Sequence, residues 1–222
     1  MPKAFTYNKE LNMELQISEL EKDIIKEILN IGLARAADSF ASISRDRVLL
    51  KVPSMELISS QEVMQTLKRF EQTHEIIQSD IKGDFNGTTL MIFSYKHVQK
   101  LSEVCLNMMP PFPSELNEMQ ESLLLEISNI ITGAFVTQLA NILKCNIYGS
   151  PPMHPIKGEL EKSLQHIFTS NPFYQPIIFT VVTHFTNFEE LVELPLFLFF
   201  DTATFNKILE IIRSYNFYEM HN

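Results

Sequence analysis

Cysteine is scarce in this 222-residue chain: Cys105 and Cys145 are the only two, and no CxxC occurs. That excludes a disulfide framework and the common zinc signatures. A reducing cytosol is then the simplest setting, so the chain is expected to be cytoplasmic. Glycine is also scarce, with six in all, and no phosphate-cradling loop can be built from them. Basic residues are few. Lys and Arg total 18 against 27 Asp and Glu, for a formal net charge of −9. Nucleic-acid binding needs clustered cations, so no nucleic-acid partner is expected. The same acidity suits a protein partner that presents a positive or metal-bearing site. Long apolar runs are missing. The longest, Leu194 to Phe200, is too short to span a bilayer and reads as a buried strand, so no membrane insertion is expected. The six histidines are scattered without ligand spacing, so no metal site is expected.

What is present is an ordinary globular composition, 45% hydrophobic and 20% charged, in a chain long enough to bury a sizeable core. Residues 1–16 read as a polar lead-in. Ser18 with Glu21 is a capping-box signal for a helix over about 18–42. A strand with loose alternation follows over 48–58 and contains Pro53, then a short helix over 60–70. Residues 74–84 and 88–93 form a hairpin turning at Asn86-Gly87, and a helix over 95–107 closes the first half. Pro110-Pro111-Phe112-Pro113 stops any helix and marks a boundary. The order then repeats: helix 115–143, strand 146–152, short helix 158–168, strands 175–187 and 193–201, and a last helix over 202–214. Phe173, Phe179, Phe185, Phe197, Phe199 and Phe205 read as core residues on one inward sheet face. The predicted fold is α+β. Two related halves, 17–108 and 114–222, share one antiparallel sheet as a single fused domain, with the long helices packed on it.

The repetition extends to particular polar residues. Asp23, Glu27, Asn30 and Pro53 recur as Ser122, Glu126, Asn129 and Pro152, each pair 99 residues apart. On a helical wheel Asp23, Glu27 and Asn30 share an arc of about 60°, expected to lie just outside the apolar stripe. Leu20, Ile24, Ile28 and Ile31 fall within about 80° of one another and are predicted to be the buried face. Met119, Leu123, Ile127 and Ile130 answer them in the second helix. Ala34 and Ala37 extend the first polar line, and Gly133 stands where Ala34 does. Small residues there leave room for a partner's backbone. A solvated helix face explains one Glu-x-x-Asn well; two copies at fixed offset in otherwise diverged halves point to function.

A Glu and an Asn with no Ser-His or Cys-His partner do not make a covalent nucleophile. An amide can donate to and accept from a water, and a carboxylate can hold a partner's cation. That combination suits positioning a water against a reactive group carried by another molecule, as in phosphoryl hydrolysis.

These residues resemble the CheC family of chemotaxis phosphatases, which includes CheX and the phosphatase region of FliY. The family pattern is Asp or Ser, three residues, Glu, two residues, Asn, then twenty-two residues and Pro. Both copies fit it without a gap, and two intact copies look like CheC rather than single-motif CheX. The resemblance implies hydrolysis of the aspartyl phosphate of CheY, the receiver-domain response regulator. It implies that Asn30 and Asn129 orient the attacking water and that Glu27 and Glu126 bind a receiver lysine. Asp23, Ser122, Pro53 and Pro152 would support the sites. No cofactor of its own is implied; Mg²⁺ would belong to the receiver. The deamidase CheD is a further partner of the family. Leu33, Arg35 and the pairing of Gly32 with Ile131 depart from the family's small-residue stretch. A binding module that docks a phosphorylated receiver or CheD without turnover carries the same motif equally well.

Overall fold

The computed structural model describes residues 17–214 except 45, 58–59, 71–73, 114, 156–161, 163, 166–176, 187–189 and 201. The expected lead-in over 1–16, most of the helix expected over 158–168, Phe173 and the side chain of Phe179 lie outside the described residues.

Helix α1 spans Glu19–Ser44 and begins where the capping box predicts. The Ser18 N–H donates to the Glu21 carboxylate at 2.7 Å, and the Glu21 N–H donates to the Ser18 hydroxyl at 3.2 Å. Strand β1 is Val48–Leu57, helix α2 Ser60–Phe70, strands β2 and β3 His74–Gly83 and Gly87–Ser94, and helix α3 Tyr95–Leu106. Helix α4 is Glu118–Leu143, strand β4 Ile147–Gly149, strands β5 and β6 Ile177–Phe185 and Glu190–Phe200, and helix α5 Thr202–Ser214. Asn117 caps α4 through a reciprocal pair with Gln120. Residues 162, 164 and 165 are helical, within the expected short helix.

The sheet is antiparallel, with strand order β1-β5-β6-β3-β2-β4. The two hairpins meet at β6 and β3 in the centre, and each half's first strand crosses over. Strand β1 pairs with β5 of the second half, and β4 pairs with β2 of the first. Each half therefore completes the other's edge, which ties the halves into one sheet.

Helices α1, α3, α4 and α5 share the main core with one face of the sheet. The edge-on contact of Phe40 with Phe185, centroids 5.7 Å apart, closes that core at the end of α1. On the opposite face Val63 and Leu67 of α2, with Leu164, cover Ile76, Leu90, Ile92, Phe197 and Phe199. Four of the predicted phenylalanines are core residues, on two faces, not one: Phe185 and Phe205 pack with the long helices, Phe197 and Phe199 with α2. The apolar run 196–200 is buried at every position because the central strand is covered on both sides.

Three local expectations are corrected. First, the hairpin does not turn through a left-handed Asn86-Gly87. The left-handed residue is Gly83, with φ 120°, where a Cβ would lie 2.0 Å from the Asn146 carbonyl oxygen. Asn146 accepts from the Asp84 N–H at 3.0 Å, so the turn is shaped by the chain after α4. Second, the buried stripe of α1 is not the Leu20 stripe. Leu20 and Ile31 are each 46% exposed, and Ile24 is half-buried. The helix buries Ile25, Ile28, Leu29, Gly32, Leu33, Ala36, Ala37 and Phe40, a face rotated by about 130°. In α4 Met119 is exposed and Ile130 half-buried, whereas Leu123 and Ile127 are buried. Third, Ala37 lies in the core, so only Ala34 extends the polar line of α1.

Helix–helix approach explains the rotation. A Cβ on Gly32 would lie 2.9 Å from Gln138 Cβ and 3.2 Å from the Ala134 carbonyl oxygen, so α1 meets α4 at this glycine. The face containing Gly32, Ala36 and Ala37 is the one that can pack closely on α4 and the sheet. At the other end, Arg213 of α5 donates to the buried Glu21 carboxylate and ties the C-terminal end of α5 to the start of α1.

Two outcomes follow. Gly32→Ala lowers the denaturant midpoint, by about 1–3 kcal/mol in stability, because the added methyl meets α4. Gly133→Ala, whose Cβ would meet nothing within 4 Å, raises stability by up to about 1 kcal/mol. Equal effects in urea unfolding would contradict this. The Arg213 hydrogen bond holds the Glu21 carboxyl below its ordinary value against the opposing effect of burial. A depressed carboxyl stabilises above the unfolded-state value, and that stability is lost as pH falls through the folded one. Glu21→Gln should therefore cost stability at pH 7 and progressively less below about pH 4.5. A destabilisation independent of pH would remove the ion pair as its cause.

Candidate functional site

In α1 the Asp23–Glu27–Asn30 arc lies almost opposite the buried face, not along its border. Asp23 and Glu27 are exposed, and Asn30 is half-buried. Asp23 forms an ion pair with Lys26 at 2.6 Å. The exposed apolar side chains of Leu20 and Ile31 flank the arc. Helix α4 repeats the layout: Ser122, Glu126, Asn129 and Gly133 are exposed, with Met119 exposed beside them. Ala34 and Gly133, the expected approach points, both face outward.

The loose alternation of β1 has a structural cause. Lys51 pairs with Val182 and Ser54 with Thr180, so Val52 and Pro53 together oppose Val181. This is a β-bulge, and it shifts the inward positions from Val48, Leu50 and Val52 to Met55. A proline, which has no N–H, is at home there. The second half has the same bulge. Gly149 pairs with Ile81, the Ser150 N–H donates to the Asp80 carbonyl at 2.7 Å, and Met153 bridges to Gln78. Pro151 and Pro152 therefore oppose Ser79. The motif prolines, 23 residues after each Asn, are the second residues of equivalent bulges.

The bulge reaches the asparagine in one copy. Val52 N–H donates to Asn30 Oδ1 at 2.7 Å. Because a backbone N–H only donates, the amide is oriented with its oxygen inward and its NH₂ outward. Among the described residues the Asn129 amide has no such bond. Instead Asn129 borders a cleft of about 190 Å³ with Ser79, Thr132, Gly133, Gly149 and Ser150 along its wall. Of these, Thr132 spends its hydroxyl on the Ser128 carbonyl at 2.6 Å. The equivalent positions of the first copy hold Val181, Leu33, Ala34, Leu50 and Lys51. The two copies share a motif but differ in their walls. Sequence reasoning missed Val52, Ser79, Gly149 and Ser150. Extending the 99-residue offset to every position before the prolines would have exposed the Val52–Pro151 difference.

Neither thiol among the described residues offers a ready nucleophile to the arcs. Burial pushes the Cys105 thiol up to about 12, and burial together with Asp84 raises Cys145. Both thiols are therefore poor sources of thiolate. Among the described residues no three His, Cys, Asp or Glu side chains converge as a metal site. What each arc offers is a carboxylate and an amide one helical turn apart on an accessible surface, suited to a cation and a water held by a partner.

Helix α4 is long and apolar enough to cross a membrane, but half of that stretch is buried here against the rest of the chain. The CheC-like family model matches residues 119–154, which run from the start of α4 through the Pro152 bulge. The chain is 29% identical over 140 residues to the CheY-P phosphatase CheC of Bacillus subtilis, a stretch that covers 61% of this chain and 66% of that protein. FliY of Thermotoga maritima has the same fold, with a TM-score of 0.67 at 19% identity, over 89% of this chain and 98% of that one. So does a chain of the FliG–FliM complex from H. pylori, with a TM-score of 0.62 at 10% identity, over 87% and 100%. The α+β fold with a shared antiparallel sheet thus matches the sequence expectation, and the stretch from the start of α4 through the Pro152 bulge is similar to the CheC-like family.

Proposed function

We propose that the chain dephosphorylates a CheY-type receiver domain, using Asn30 and Asn129 to orient the water that attacks its aspartyl phosphate. The observation that supports this most is the pair of exposed Glu-x-x-Asn arcs, one on α1 and one on α4, each standing beside a proline bulge. The water oxygen bonds to phosphorus as the bond from phosphorus to the aspartyl oxygen breaks. The products are inorganic phosphate and the free carboxylate, and the water's proton leaves with the phosphate. Such a reaction is governed by positioning and electrostatics, which a nucleophile-free surface can supply. Glu27 and Glu126 pair with a receiver lysine near the phosphoryl group. Asp23, Ser122, Pro53 and Pro152 support the arcs, and Ala34 and Gly133 let the receiver backbone approach. Mg²⁺ sits on the receiver, with no metal or cofactor on this chain, and the setting is the cytoplasm. The B. subtilis relative, the CheY-P phosphatase CheC, favours the same reading.

One observation favours docking without turnover: the fold also occurs in the FliG–FliM complex. In that reading the arcs hold a phosphorylated receiver, or another surface holds CheD, and the phosphate survives.

Decay of radiolabelled phosphate on the receiver separates the two. Wild-type protein should accelerate it, and Asn30→Ala with Asn129→Ala should return it to the receiver's own rate, a loss of about 10²-fold or more. Wild-type protein that leaves decay unchanged sinks the phosphatase reading. The exposed Leu20 and Ile31 put apolar contact beside the first arc. With Asn129→Ala silencing the second copy, Ile31→Asp should raise KM for the phosphorylated receiver roughly tenfold with kcat little changed. An unchanged KM would place the receiver elsewhere.

A further inference from the structure

The two copies differ at one backbone atom. Twenty-two residues after Asn30 stands Val52, whose N–H donates to Asn30 Oδ1 at 2.7 Å. Twenty-two residues after Asn129 stands Pro151, which has no N–H. Both are first residues of equivalent bulges, opposite Val181 and Ser79 respectively. The geometry points to the Val52 N–H as a positioning group for Asn30, denied to Asn129 by Pro151, so that one copy carries a pre-set amide and the other an amide that only a bound partner can order. The kinetic part of this inference rests on the reading of the asparagines as water-orienting; the difference in amide order does not.

The physical consequence is preorganisation. The N–H fixes the plane of the Asn30 amide and leaves its two Nδ2 hydrogens and one Oδ1 lone pair facing outward. A water that meets it need not order the side chain first. Asn129 is more exposed and stands over the cleft between Gly133 and Gly149, where an added Cβ would meet nothing within 4 Å at either glycine. Its amide has room to turn, and that freedom is lost only as the attacking water is positioned within the complex. Immobilising one side chain is worth enough to change a rate about two- to tenfold. Because Asn30 and Asn129 make the same kind of contact once ordered, the difference belongs in kcat more than in KM.

The bulges make the test reciprocal. Pro-Pro is the natural sequence of the second bulge, so Val52→Pro gives the first bulge a pair that this fold already accommodates. Pro151→Val supplies the missing N–H to the second. Nitrogen-15 relaxation of the Asn side-chain amides in the full chain, without any receiver, reads the order directly. Asn30 should be the more ordered amide in wild type. Val52→Pro should bring it down to the level of Asn129, Val52→Ala should keep it ordered because the N–H remains, and Pro151→Val should raise Asn129. In the dephosphorylation assay, Val52→Pro in the Asn129→Ala background should lower kcat about two- to tenfold, and Pro151→Val in the Asn30→Ala background should raise it by a similar factor. Equal order of the two amides in wild type overturns the inference. So does a Pro151→Val protein whose Asn129 stays as mobile as before, which remains decisive if Val52→Pro fails to fold. Absence of wild-type turnover with unequal amide order defeats the phosphatase reading and leaves the positioning role standing.

Discussion

The exchange of first strands between the halves is the constraint on which the rest depends. Strand β1 hydrogen-bonds to β5 and β4 to β2, so each half contributes the edge of the other's hairpin. A hairpin alone is marginal in water, and a half without its borrowed edge would have an open flank. The crossing also delivers the connecting strands beside the helices that precede them. Helix α1 lies against β1, and α4 against β4, where the bulges sit. The polar arcs are thus fixed to the sheet edges by the same pairing that closes the core.

That arrangement suits the chemistry proposed for the two arcs. The asparagines stand on long helices whose opposite faces are locked at the Gly32 crossing and by the Phe40–Phe185 contact. A rigid support places an amide to within the tolerance that water positioning needs. The reactive group, the metal and the positive charge are supplied by the partner in the proposed complex. Divergence between the copies then falls on the immediate surroundings of the asparagines, with a backbone N–H at one and an open polar cleft at the other. Both keep the carboxylate outside.

Much of the architecture was legible beforehand. The capping box at Ser18, the proline stop at 110–113 and the 99-residue offset located the elements to within a few residues. The arcs were legible because three polar residues at helical spacing stay together whatever the helix packs on. The buried face of α1 was not. That helix is apolar on more than one side, and periodicity alone cannot choose between the Leu20 stripe and the Ile25–Leu29–Leu33 stripe. The phenylalanine run misled in a related way. Alternation assigns one inward face, whereas the central strand β6 is covered on both.

By itself the sequence determined the duplication, the element order and the two repeated Glu-x-x-Asn patterns, because these rest on local spacing, capping and backbone chemistry. The tertiary structure decided which helical face is core, since that depends on where α4 approaches Gly32. It also decided the exchange of edge strands, which no local signal encodes. Above all it decided that the two asparagines differ. Val52 and Pro151 look like ordinary strand residues until a bulge turns one N–H toward an amide that is 22 residues earlier in the chain.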